Sequence, residues 1–160
     1  MNGSRARNAL EWLAAAAPDP DACRWEWERN RHGIALLPAG RLWDVLIVPG
    51  DLGSPALSVL SRLIDRPGPV LAGSGDSRIG FFVPPGTAGR WLGTGVRTAG
   101  QGAWIVVPHP GRTADGVRWL VAPDGSGTLT DPSLLELAMH AAAGGIARRG
   151  GGGGRGDRWR

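Results

Sequence analysis

Hydrophobic and polar positions alternate along the chain in blocks that change period. Ala9, Leu10, Trp12, Leu13 and Ala16 recur at helical spacing, and Ser4 stands where an N-cap belongs, so the pattern predicts a helix over 5–16. Pro18-Asp19-Pro20-Asp21 forms a turn and a new cap, followed by a second helix over 22–30 with Cys23 and Trp27 four apart on one side. Gly33 opens a short strand at 34–37, and Pro38-Ala39-Gly40 turns the chain. Residues 42–48 are almost continuously apolar, broken only by Asp44, as in a central strand covered on both faces.

Ser54-Pro55 marks a helix start with proline in the first turn, and Leu57, Leu60 and Ile64 carry the helix to 64. Pro67-Gly68-Pro69 ends it. Strands at 70–72 and 79–83 flank a Gly-Ser-Gly-Asp turn. Pro84-Pro85-Gly86 leads into a short helix or turn around Arg90, Trp91 and Leu92. Three more strands fall at 95–97, 103–107 and 117–121, and Thr130-Asp131-Pro132 caps a last helix over 133–143. This order predicts an α/β (α+β) fold: one mixed sheet of about six to seven strands flanked by helices, without a regular βαβ repeat.

Charge and glycine alter this picture mainly at one end. The 18 basic residues are all arginine, and five of them lie in 148–160 with one acid, Asp157; residues 1–147 hold 13 arginines and 13 acids. The net charge of +4 therefore belongs to the terminal segment and not to a basic face. Eight glycines fall between Gly144 and Gly156. The domain is expected to span 1–143, with 144–160 a disordered Gly/Arg-rich tail able to touch nucleic acid through phosphate contact and through Trp159. Near the start, Glu11 interrupts the apolar run at 9–17 and Pro18 ends it, so that stretch reads neither as a secretory leader nor as a membrane span. One cysteine and no targeting pattern make the cytoplasm the expected location.

Several chemistries fail on residue type. Without lysine there is no P-loop lysine and no Schiff base. A single cysteine forms no internal disulfide and no Cys-rich zinc site. His32, His109 and His140 lie far apart in sequence with no metal-ligand spacing, and read as surface or packing residues. No G-x-S-x-G elbow is present. The glycines at 93, 95, 100 and 102 do not open a helix, so they read as hairpin turns and not as a dinucleotide fingerprint.

Read together, six segments carry a resemblance. They are Gly33 to Gly40 (GIALLPAG), Leu42 to Gly50 (LWDVLIVPG), Arg78 to Gly86 (RIGFFVPPG), Val96-Arg97, and Ala103 to Pro110 (AWIVVPHP) followed by Gly116 to Leu120 (GVRWL). In order and spacing they resemble the N-terminal domain of bifunctional DNA primase/polymerases, of the archaeo-eukaryotic primase superfamily. The likeness runs from about Ala9 to Ala143, and the composition looks like that of a high-GC actinobacterial member.

The resemblance implies nucleotidyl transfer by two divalent metals. Such a site takes a D-x-D pair on one strand face, a third acid on a neighbouring strand, and a histidine before an aromatic strand. Here the D-x-D strand maps to 42–48. One register gives Asp44 and Leu46, the other Leu46 and Val48. The histidine position falls on Ile79 or Gly80, and the third acid on Gly95. Asp44 is the sole candidate remnant, with Asp51 and Asp76 as loop acids that could substitute; for Asp44 the plainer role is a strand-edge polar residue or a partner for an arginine.

The implied protein is thus a primase/polymerase-like domain that has lost catalysis and has no cofactor, Mg²⁺ entering only if catalysis were retained. Its expected partners are single-stranded DNA or nucleotides, with no membrane role. Arg97 maps to an arginine that follows the family's third acid; Arg78 and Arg112 sit in loops beside the would-be cleft. These three are the candidate phosphate or nucleic-acid contacts. Trp12, Trp27, Trp43, Trp91, Trp104 and Trp119 read first as core and cleft packing. The alternative is a non-catalytic protein-interaction module, motivated by the neutral body.

Overall fold

The computed structural model describes residues 2–30, 32–112, 114 and 116–154. Its elements run α1 (Asn2–Ala14), α2 (Pro20–Arg29), β1 (Ile34–Pro38), β2 (Asp44–Pro49), α3 (Gly50–Leu63), β3 (Val70–Gly73), β4 (Arg78–Val83), α4 (Thr87–Arg90), β5 (Arg97–Ala99), β6 (Trp104–Pro108), β7 (Val117–Val121) and α5 (Pro132–Gly154). The α+β class is as the pattern predicts. The sheet differs: the strands form two sheets, not one mixed sheet. A two-stranded ribbon pairs β1 with β6, and a five-stranded sheet has the order β5-β2-β4-β3-β7. Every ladder is antiparallel.

The five-stranded sheet has two buried faces, which is why β2 is apolar at nearly every position. On one face, Leu46, Val48, Val70, Ile79 and Phe81 pack under α3 and α5 with Ala56, Leu60, Leu135 and Ala138. On the other, Val45, Leu71, Phe82 and Ala99 pack with Trp43, with Leu13 and Trp27 of α1 and α2, and with Leu37 and Val107 of the ribbon. Paired residues share a face, and the registers Phe82↔Val45↔Ala99 and Leu46↔Phe81↔Val70 separate the two sets. Strands β2 and β3 run parallel with β4 between them, joined by α3 as a crossover.

Helix α3 begins at Gly50, about one turn before Ser54-Pro55, so Pro55 lies inside the helix. Glycine permits this start: the Gly50 N–H donates to the Ser77 carbonyl at 2.8 Å, and a Cβ there would stand 2.0 Å from the Asp76 carbonyl oxygen. In α2, Asp19 is the cap, its Oδ1 accepting from the Ala22 N–H at 3.2 Å. Strand β5 starts at Arg97, two residues later than predicted, because Gly95 has a φ of 81° and belongs to the turn before it. Helix α5 continues to Gly154, so 144–154 are helical where the sequence predicts the start of a disordered tail; the rest of that tail, 155–160, lies outside the described residues. Among the described residues no helix is long and apolar enough to cross a membrane.

His109, after β6, meets the Trp27 ring edge-on at 6.1 Å, and its Nδ1 accepts from the Gly111 N–H at 3.0 Å. Burial, and next the nearby Arg112 charge, hold its pKa below 6.5. The folded protein therefore binds fewer protons here than the unfolded chain, and stability rises with pH. The contribution is present above the unfolded value of 6.5 and is lost as pH falls through it toward the lower folded value. Urea titrations across that window should show this decline, and His109→Gln should flatten it. An unchanged slope would assign the decline to other groups.

Candidate functional site

Between the five-stranded sheet and β6 lies an open cleft of about 470 Å³. Val45 and Ile47 of β2, Leu71 of β3, Gly80 of β4 and Val117 of β7 form its floor, and Trp104 to Val106 of β6 form one wall. Arg78 stands at its end. Arg97 pairs with Ile47 across the β2–β5 ladder and so rises from the same face of the sheet, one strand further on. Trp104 is 54% exposed, leaving ring surface available for a planar ligand. Among the described residues, no acid pairs with Arg78 or Arg97.

The other sequence candidates fall elsewhere. Asp44 begins β2 but, by strand alternation, lies on the opposite side from Val45 and Ile47. It is 1% exposed, and its Oδ2 accepts from the N–H groups of Gly86 and Ala88, both at 2.9 Å. Asp44 therefore ties the loop before α4 to the sheet; it accepts from backbone and, among the described residues, pairs with no arginine. Its Oδ1 is buried with no hydrogen-bond partner. Arg112, placed beside the cleft by sequence, instead donates from Nη1 to the Trp27 carbonyl at 3.1 Å and fastens the β6–β7 loop to α2.

The two loop acids are not in the cleft floor either. Asp76 lies in the β3–β4 turn with a φ of 69° and receives two hydrogen bonds from Arg118, at 3.2 and 2.6 Å. Those bonds hold its carboxyl below the usual range. Asp51 is in the first turn of α3, the helix covering the other face. At the histidine position, Gly80 faces the cleft while Ile79 is buried toward the helices.

These residues do not fit a two-metal centre. The cleft-facing pair on β2 is Val45 and Ile47, a register that neither sequence alignment of the D-x-D strand considered, and it contains no carboxylate. Among the described residues no group of three or more His, Cys, Asp or Glu could hold a metal ion. What the cleft offers is an apolar floor, an aromatic wall and two cationic side chains, which suits a planar group carrying negative charge. Its floor was hidden in sequence by the continuous apolar run that follows Asp44 in β2.

The described residues define an α+β fold with an open, arginine-edged groove. Compared with protein-family models, curated proteins and solved structures, the chain has no match.

Proposed function

We propose that this chain is a primase/polymerase-like domain without nucleotidyl transfer whose cleft binds nucleotides or single-stranded nucleic acid. The observation that carries the reading is the cleft itself: apolar where a metal-dependent transferase needs acids, yet bordered by Arg78, Arg97 and the exposed Trp104. A base stacks on Trp104, and the guanidinium groups take the phosphates. In this reading the protein acts in the cytoplasm, and the arginines of 148–160 add sequence-independent contact.

The test is a fluorescence titration of the full chain with single-stranded DNA and with nucleoside triphosphates at several salt concentrations. Saturable quenching is expected. Arg78→Ala should weaken DNA binding by about 1 kcal/mol, roughly fivefold, and reduce the salt slope by about 0.7–1. A companion variant with Arg148, Arg149, Arg155, Arg158 and Arg160 replaced by Gln separates tail from fold. Binding that vanishes only in that companion would remove the cleft from the account. Primer synthesis under Mg²⁺ or Mn²⁺ would overturn the loss of catalysis.

A second reading, a protein-interaction module, is favoured by a different observation. Of the large hydrophobic side chains that remain exposed, four sit together on the β1–β6 ribbon.

A further inference from the structure

The backbone satisfies only half of the Asp44 carboxyl. Oδ2 takes the Gly86 and Ala88 N–H groups at 2.9 Å, while Oδ1 is buried with no hydrogen-bond partner. The residue is 1% exposed. Buried charges are ordinarily paired, and buried polar atoms hydrogen-bonded. The chain has no lysine, and among the described residues no arginine pairs with Asp44. Arg90 Nη1 would stand 3.0 Å from a Cβ on Gly86, but Arg90 lines a neighbouring hollow with Trp91 and Ser133.

Asp44 belongs to the wall of an open pocket of about 660 Å³. The pocket lies where β2 begins and β5 ends, and it shares no lining residue with the arginine-edged cleft. Much of its wall is glycine: Gly40 before β2, Gly86 and Gly89 around α4, and Gly100 and Gly102 after β5. The missing side chains leave room beside the carboxyl. A Cβ on Gly100 would come within 3.4 Å of Asp44 Oδ2 and 2.9 Å of the Ala88 Cβ. Thr98 and Gln101 add polar side chains to the lining.

We infer that this pocket binds a small organic cation, a molecule carrying a guanidinium or primary ammonium group, with Asp44 Oδ1 as its acceptor. Such a group supplies both the missing charge and the missing donor. A neutral ligand leaves the carboxylate without a counter-charge. A divalent metal needs several oxygen ligands, whereas Oδ2 is already taken by two N–H donors, and among the described residues no group of three or more His, Cys, Asp or Glu could hold a metal ion. The volume also admits a molecule of several heavy atoms and not merely a bare ion. Because Oδ1 is shielded from solvent, the ligand must displace part of the wall to reach it, and Gly86 and Gly89 give the short α4 segment the freedom to yield. Cation binding here is independent of what the cleft binds.

Calorimetric titration of the full chain with agmatine, with butylammonium and with MgCl₂ alone tests this. At least one organic cation should bind saturably, in about the millimolar range expected of ligands with so few atoms, and uncharged butanol should not. Asp44→Asn keeps an acceptor for the Gly86 and Ala88 N–H groups and puts an NH₂ at the Oδ1 position. It should weaken binding at least about tenfold with an unchanged circular dichroism spectrum. Gly89→Leu adds a side chain where a Cβ meets nothing within 4 Å, and should weaken binding by filling the pocket. A wild-type protein that binds neither organic cation overturns the inference. So does unchanged affinity in Asp44→Asn, and so does an Asp44-dependent heat from MgCl₂ with none from the organic cations. Should Asp44→Asn fail to fold, Gly89→Leu decides, and unchanged affinity there overturns the inference.

Discussion

Phe82→Ala is expected to destabilise the protein by about 3–5 kcal/mol, the usual loss for a large aromatic truncated in a packed core. Phe82 lies on β4, in the centre of the five-stranded sheet, and is fully buried. Its ring stands 4.6 Å from that of Trp43 and 5.8 Å from that of Trp119. The cavity would open where the sheet, the ribbon and the first two helices meet, and the two rigid tryptophan rings and a strand cannot readily collapse into it. For a domain whose total stability is about 5–15 kcal/mol, that is a large share. Urea denaturation measures it, and Phe82→Leu should cost much less because most of the volume is kept. A loss under about 1 kcal/mol for Phe82→Ala would mean the aromatic cluster is not the centre of this core.

The elements were legible wherever the hydrophobic period was clean. Leu57, Leu60 and Ile64 marked α3, and the apolar run at 42–48 marked β2 as a central strand. Ends moved where backbone geometry overrode pattern. Gly50 lets α3 start early against the β3–β4 turn, and Gly95 pushes the start of β5 to Arg97. Pairing was not legible. Nothing local distinguishes a strand that joins the large sheet from β1 and β6, which pair only with each other. Those contacts join residues about 70 positions apart, and they decide which apolar side chains remain outside.

The site was legible in part. Arg97 was found by motif and Arg78 by position, and both share the cleft face, Arg78 as the first residue of β4; Arg112, also found by position, binds the α2 backbone instead. The failure at β2 has a physical cause. A strand buried on both sides has no hydrophobic alternation, and alternation is the signal that tells which residues face a cleft. Asp44 drew attention as the lone polar residue of the run. Its polarity meets a different need: two backbone N–H groups at the start of α4 require an acceptor in the interior.

Asp44→Ala is accordingly expected to cost about 1.5–3 kcal/mol, the range for losing hydrogen bonds to a charged group. Both Oδ2 bonds disappear with it, and the Gly86 and Ala88 donors lose their acceptor. The loop they hold carries Thr87, itself buried and bonded to the Pro84 carbonyl at 2.6 Å, so loosening should spread to Trp91 at the end of α4. Asp44→Asn should cost less, because an amide oxygen can take the Oδ2 position, although its NH₂ then lies where Oδ1 already has no partner. Denaturation midpoints for the two variants measure this order, and titration of the cleft with single-stranded DNA should return near wild-type affinity for Asn. Under the alternative role, as a remnant metal ligand, the order reverses in kind: stability would hold while metal-dependent binding disappeared in both. Strand geometry separates the two roles, since residues 44 and 45 point to opposite sides of β2 and it is Val45 that faces the cleft.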